Sequence, residues 1–395
     1  MSQDRHKYDS KDFSLVLGGP LYQLYMRTFL LTPPLNHYKT RIIFISLLTW
    51  LPLLILSSIS GTAFSGVKVP FFYDIEIHVR FLGSLALMIA AELVVHQRIQ
   101  VIVKEFIDRN IIATQDLHKF NAIINKAMHL RNSYIVEICL IILVFGFGKW
   151  IWKEYMTLNV ATWFAIPKSG QLHLTLPGYW YAFVSLPIFQ FILLRWYFRL
   201  FIWYDFLWKT SKLPLHLNSL HPDRAGGLSF ITDSIFALAP LLLAHTLLLA
   251  GLIANRILHA GAALPDFKYE IIGIIVFLLV IVLIPLFFFI FPLEETKRRG
   301  TIKYGAIASH YVNDFSKKWL SDHSEKSKML LGSSDIQSLA DLANSYQVTQ
   351  EMRILPFTLR NIIQFIFIIS IPFFPLALFV FKIEDIIGLV FKFFM

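Results

Sequence analysis

Charge is scarce in this chain of 395 residues: Asp, Glu, Lys and Arg make up 16% of it, against 56% hydrophobic residues and a mean hydropathy of +0.60. An ordinary soluble domain, with about 25% charged residues, is excluded by that balance. Cysteine is nearly absent. Cys139 stands alone, which excludes intrachain disulfides and cysteine-based metal sites. The polar opening from Met1 to Ser14 contains no apolar run ending in a small-residue cleavage site, so the first apolar helix is expected to act as its own insertion signal. Internal repeats are missing too, which weighs against inverted-repeat transporter folds. The vocabulary of catalysis is equally thin, with no His-Glu-x-x-His, no Gly-x-Ser-x-Gly and no Asp-rich phosphate motif. The chain therefore reads as a non-enzyme, with no catalytic residue, cofactor or metal site expected.

What is present in abundance is apolar sequence, 37 phenylalanines included. Seven apolar runs (42–60, 79–96, 134–152, 179–204, 229–256, 269–292 and 362–381) each come near the ~20 residues a helix needs to cross a bilayer. The loops between them alternate between Lys/Arg-rich and Lys/Arg-poor, the pattern of a multi-pass protein held in one orientation. The fold class expected is therefore an all-α polytopic membrane protein of about seven transmembrane helices. Placing the basic loops inside puts the N-terminus in the cytoplasm. The last run, broken by Pro372 and Pro375, is expected to cross, with re-entry as the alternative. The formal net charge of +10 sits in loops flanking the spans, where orientation and anionic lipid headgroups account for it, and nucleic acid is not expected as a partner.

Four regions follow from this pattern. Residues 1–41 form a cytoplasmic segment with an interfacial amphipathic helix from Pro20 to Leu31. Residues 42–292 hold six spans. A second amphipathic stretch occupies 114–131, and an outer loop at 154–178 carries the polar/apolar alternation of a strand from Gln171 to Leu176, predicting a small β-hairpin. Residues 293–359 form a helical cytoplasmic region, with helices expected over 294–321 and 335–345. Residues 360–395 supply the last span and an amphipathic tail marked by Ile387, Val390, Phe391 and Phe394.

Ionisable groups inside spans are costly and mark candidate sites. Glu92, Arg195 and Asp233 are expected at similar depth, either as a pathway or gate cluster or as a structural ion pair. His245 is a candidate proton relay, or an interhelical hydrogen-bonding group. The most distinctive local sequence is Leu220-His221-Pro222-Asp223-Arg224-Ala225-Gly226-Gly227-Leu228. His-Pro-Asp also occurs in co-chaperone J-domains, but those flanks are soluble helices, and the Gly-Lys spacing of a phosphate loop is absent. Pro222, Gly226 and Gly227 predict a rigid turn with Asp223 capping backbone amides and Arg224 available for an ion pair. A ligand or ion site at this corner is the alternative.

With Tyr304-Gly305-Ala306, and with Gly332 to Tyr346 leading to Met352–Phe357, this corner resembles a group of bacterial inner-membrane proteins over roughly residues 195–360. That resemblance implies a bacterial inner-membrane location and no particular activity. The functional expectation is an oligomeric ion channel or transport protein gated from the cytoplasmic side, as a homo-oligomer. The alternative is a membrane-anchored sensor or scaffold that binds a cytoplasmic protein through 293–359.

Overall fold

The computed structural model describes residues 13–33, 35–155, 161–168, 171–320 and 334–379. It is an all-α polytopic membrane protein with one two-stranded sheet. Helix α1 (Pro20–Arg27) starts on a proline at its first position, where the missing N–H costs nothing. Helix α2 (Tyr38–Ile59) follows, then α3 (Ile75–Asp108), begun by the Asp74 carboxylate, which accepts from the Ile77 N–H at 3.4 Å. Helices α4 (Leu117–Arg131) and α5 (Tyr134–Tyr155) lead to the hairpin, β1 (Ala165–Lys168) antiparallel to β2 (Gln171–Leu174). Helix α6 (Leu176–Ser211) returns, and α7 (Asp233–Ala260) ends on Gly261 at φ 68°, the left-handed stop that glycine adopts without strain. Helices α8 (Lys268–Phe287), α9 (Ile290–Trp319), α10 (Ser334–Glu351) and α11 (Leu359–Ser370) complete the order.

Six helices are long and apolar enough to cross a bilayer. A seventh is counted if 114–131 and 134–146, bent by 43° at their junction, act as one span. At ~1.5 Å per residue, α3 and α6 exceed the hydrocarbon thickness and project well beyond it at one end. That end, which also carries α4, α9 and α10, is rich in Lys and Arg and is called the basic end below. The hairpin lies at the other. Residues 380–395, where the amphipathic tail was expected, and the polar start 1–12 lie outside the described residues.

Small residues bring α3 and α7 together. A Cβ on Gly251 would stand 2.9 Å from Val79 Cβ, and one on Gly83 would stand 2.8 Å from Leu247. The Ser84 hydroxyl donates to the Ala244 carbonyl at 2.9 Å across the same contact. Close backbone approach substitutes here for the hydrophobic effect, which does not drive helix association within lipid. Both α3 and α6 contain a π-helical turn, at Val79–Ser84 and Tyr181–Ser185, and Arg80 and Tyr181 hydrogen-bond to each other between those two turns.

Two segments near the basic end turn apolar side chains into the bundle. The chain just before α1 packs into the bundle. Phe13, Ser14, Leu15 and Val16 are fully buried, and Phe13 packs on Trp203 and Phe206 of α6. The amphipathic stretch 114–131 turns its apolar face inward: Phe120, Ile124, Ala127 and Met128 are buried, with Phe120 against Phe206. Both are apolar faces that the bundle, rather than the lipid, covers. Helix α9 begins at Ile290, inside the run assigned to the sixth span, because α8 ends at Phe287, two residues past Pro285, and the chain turns at Phe288 and Phe289.

Candidate functional site: a buried arginine–glutamate network beneath the N-terminal segment

Four helices of the basic half, α2, α3, α5 and α6, contribute five charged side chains to a common interior. Arg41, at the foot of α2, meets Glu92 of α3 at 2.7 Å, and Arg199 of α6 meets the other oxygen of Glu92 at 2.8 Å. One turn earlier on α6, Arg195 pairs with Glu137 of α5 at 3.2 Å and donates to the Gly18 carbonyl at 3.1 Å. All five side chains are closed to solvent, Arg41 at 1% exposure. Two glutamates thus face three arginines, so the cluster keeps an excess positive charge in a place where charge is expensive. The guanidinium groups are partly satisfied by aromatic faces. Arg41 lies 5.3 Å from the centre of the Tyr25 ring, and Arg199 lies 4.8 Å from that of Trp196. Among the described residues, Arg41 Nε and Arg199 Nη2 have no hydrogen-bond partner. The Arg41–Glu92 contact is close but poorly aligned, an ion pair rather than a directed hydrogen bond.

The N-terminal segment closes over this network. Glu137 accepts the backbone N–H of Leu21 at 2.8 Å, so a side chain from α5 caps the start of α1, whose own N-cap, Gly19, has none to offer. Arg131 of α4 donates to the Ser14 carbonyl at 2.6 Å. The Ser14 hydroxyl oxygen accepts the N–H groups of Val16 and Leu17, which leaves its proton to donate to His96 Nδ1 at 2.9 Å. A Cβ on Gly18 would stand 2.1 Å from Asn132 Oδ1, and one on Gly19 would stand 2.8 Å from Glu137. Both glycines have positive φ, 153° and 86°, so this pair alone lets extended backbone thread between charged side chains.

The expected trio of Glu92, Arg195 and Asp233 is therefore corrected. Glu92 and Arg195 share the interior but each has another direct partner. Asp233 is exposed at the start of α7, facing Arg98, Arg109 and Glu105. Depth counted along each span carried no information about azimuth, and Asp233 points away. Arg41, Arg199 and Glu137 complete the cluster. Their only signal in the sequence is their place at or inside apolar runs.

His245 accepts from the Tyr197 hydroxyl of α6 through Nε2 at 2.8 Å and donates from Nδ1 to the Leu241 carbonyl at 2.8 Å. Both nitrogens are committed, and the described contacts are those of an interhelical hydrogen-bonding group.

At the corner, the Asp223 carboxylate accepts three backbone N–H groups, from Ala225 at 2.8 Å and from Gly227 and Ser229 at 3.1 Å. Burial alone would raise its pKa, but these donors together hold it below the ordinary carboxylate value. His221 Nδ1 lies 2.8 Å from the same carboxylate. Arg224, Gly226 and Gly227 all have positive φ. A Cβ on Gly226 would crowd Met352 and Leu293, and one on Gly227 would crowd Ile111. Arg353 locks the far side, its Nη2 donating to the Asp223 carbonyl at 2.8 Å and its backbone N–H to the Arg224 carbonyl at 2.7 Å, while Arg224 pairs with Glu351 at 2.8 Å. The carboxylate is saturated by its own loop, and the corner ties α7 to the end of α10.

No group of three or more potential metal ligands occurs among the described residues. Compared with protein-family models, with curated proteins and with solved structures, the chain matches none of them.

Proposed function

We propose that this integral membrane protein is an anion-selective channel or transport protein of the bacterial inner membrane, acting as a homo-oligomer and gated from the cytoplasmic, basic end. The observation that carries this reading is the arginine-rich network of Arg41, Glu92, Arg195, Arg199 and Glu137, lying inside the helix bundle with more positive than negative charge. Buried ionisable groups of this kind are costly to stability and mark substrate or ion pathways by default. The extended segment from Phe13 to Gly19, held by Arg131, Arg195 and His96, supplies the gate: its release would expose the network to the basic side.

Reconstitution of the full chain into liposomes tests the reading, with chloride and potassium flux measured for wild type, Arg195→Gln and Glu92→Gln. Anion flux that falls in Arg195→Gln is the expected result. Wild-type liposomes that pass neither ion, with or without a membrane potential, overturn it.

A specific observation also favours the sensor or scaffold reading. The paired helices α9 and α10 leave Ile302, Ile307, Val312 and Ile336 exposed, apolar side chains available to a partner protein. Its rigid tie to the corner through Arg353 would transmit such binding to α7.

A further inference from the structure

Helix α1 roofs an apolar groove that runs into the bundle between α2, α5 and α6, with a volume of about 450 Å³. Its walls include Tyr25, Phe44, Ile45, Ile141, Val144 and Ile188. That volume falls within the ~300–1,000 Å³ of small-molecule sites. The groove opens sideways through apolar surface, toward the place where lipid tails lie. Counting from the basic ends of α2 and α5, it begins at the level of α1 and extends for more than two helical turns toward the membrane centre.

The entrance has one sign of charge. Leu24, Thr28 and Leu30 line its α1 side, and Arg27 lies three residues from Leu24, on the neighbouring strip of the same helix. Lys39 lies in the first turn of α2, nearer the basic end than Phe44 and on another strip of that helix. Both cations are exposed, and the chain has no acidic residue anywhere from Phe13 to Tyr73. Around them Leu24, Met26 and Phe29 turn their side chains outward, Phe29 at 86% exposure, which suits a helix seated at the headgroup level.

We infer that this groove is a binding site for one acyl chain of an anionic phospholipid from the basic-side leaflet, whose phosphate is held by Arg27 and Lys39. The inference is independent of the transport reading, since it concerns the outer wall of α2, α5 and α6 rather than the charged interior. Tyr25 joins the two regions: it lines the groove and stacks on Arg41. A bound chain would hold α1, and with it the segment Phe13–Gly19, in the position described.

Native mass spectrometry of the full chain, released from vesicles of equal parts phosphatidylglycerol and phosphatidylcholine, reads which lipid each molecule retains. Wild type is expected to keep phosphatidylglycerol in preference. Replacing both cations, Arg27→Gln with Lys39→Gln, should reduce that preference by roughly tenfold while a lipid is still retained. Ile141→Trp, which fills the groove, should abolish retention. Ile142→Trp, at a neighbour that is 65% exposed and outside the groove, should not. Equal retention of the two lipids by wild type, no retained lipid, or identical behaviour of Ile141→Trp and Ile142→Trp overturns the assignment.

Discussion

Glu92 of α3 and Arg199 of α6 meet at 2.8 Å with both side chains sealed from solvent, and Arg41 closes on the same carboxylate from α2. One acidic side chain therefore neutralises part of two cationic ones. Glu92→Gln keeps the shape and removes the charge, leaving both guanidinium groups uncompensated. The expected loss is about 3–5 kcal/mol, read as a fall in the thermal unfolding midpoint in detergent. An unchanged midpoint would mean that water or lipid reaches the cluster.

The segment Phe13–Gly19 depends on two glycines in conformations that side chains resist. Gly18→Ala puts a Cβ into Asn132 and Arg131 and should dislodge 13–19 without breaking a transmembrane helix. Maleimide labelling of Ser14→Cys in a Cys139→Ser background checks this. Labelling should be slow when Gly18 is intact, because Ser14 is fully buried, and at least about tenfold faster with Gly18→Ala, in keeping with a cost of ~1–3 kcal/mol for forced overpacking.

Acid should stabilise the end that carries the hairpin. Asp74, just before α3, is raised to about 6 from an ordinary value of 3.8, by burial first and then by Glu76, against the opposing N–H of Trp163. A carboxyl raised on folding binds its proton more tightly in the folded state. Stability is therefore gained as pH falls from about 6 to about 4, and lost as it rises through that window, by about 2–3 kcal/mol in all. Thermal unfolding of wild type relative to Asp74→Asn, compared at pH 4 and pH 7, isolates the term. The difference should favour wild type more at pH 4, and a difference independent of pH refutes the assignment.

Asp223 has the opposite sign and a different purpose. Its pKa is lowered, despite burial, by three backbone donors. Its contribution is thus complete above about pH 5 and lost only as pH falls through the folded value. Asp223→Ala leaves the N–H groups of Ala225, Gly227 and Ser229 without their acceptor and should cost about 3 kcal/mol or more. Asp223→Asn, which keeps one carbonyl oxygen, should cost less. Equal midpoints for wild type and Asp223→Ala would show that the corner is held by Arg353 alone.

The spans, the strand alternation near Gln171 and the tight turn at Pro222–Gly227 were legible because each is a local matter. Hydrophobic length, period-two alternation and glycine position leave their mark within a few neighbouring residues. The apolar character of Phe13–Val16 was visible as well, but not its destination. Three apolar residues and a serine are too short a run for a span, and nothing local says that α3, α4 and α6 leave room for them. His245 shows the same limit from the other side: its place in a span was plain, and its two committed nitrogens were not.

The sequence by itself determined that this chain crosses a membrane several times and which ends of its helices are basic, because hydration of charge and transfer of apolar surface act residue by residue. Only the tertiary structure decided that Glu92 takes Arg41 and Arg199, that Arg195 takes Glu137, and that Asp233 takes no part. Those choices depend on the rotation of each helix about its own axis. That rotation is set where Gly83 and Gly251 let α3 and α7 touch, and where Gly18 and Gly19 let the N-terminal chain pass. Depth in the bilayer can be counted along one helix, but partnership requires knowing which way two helices face.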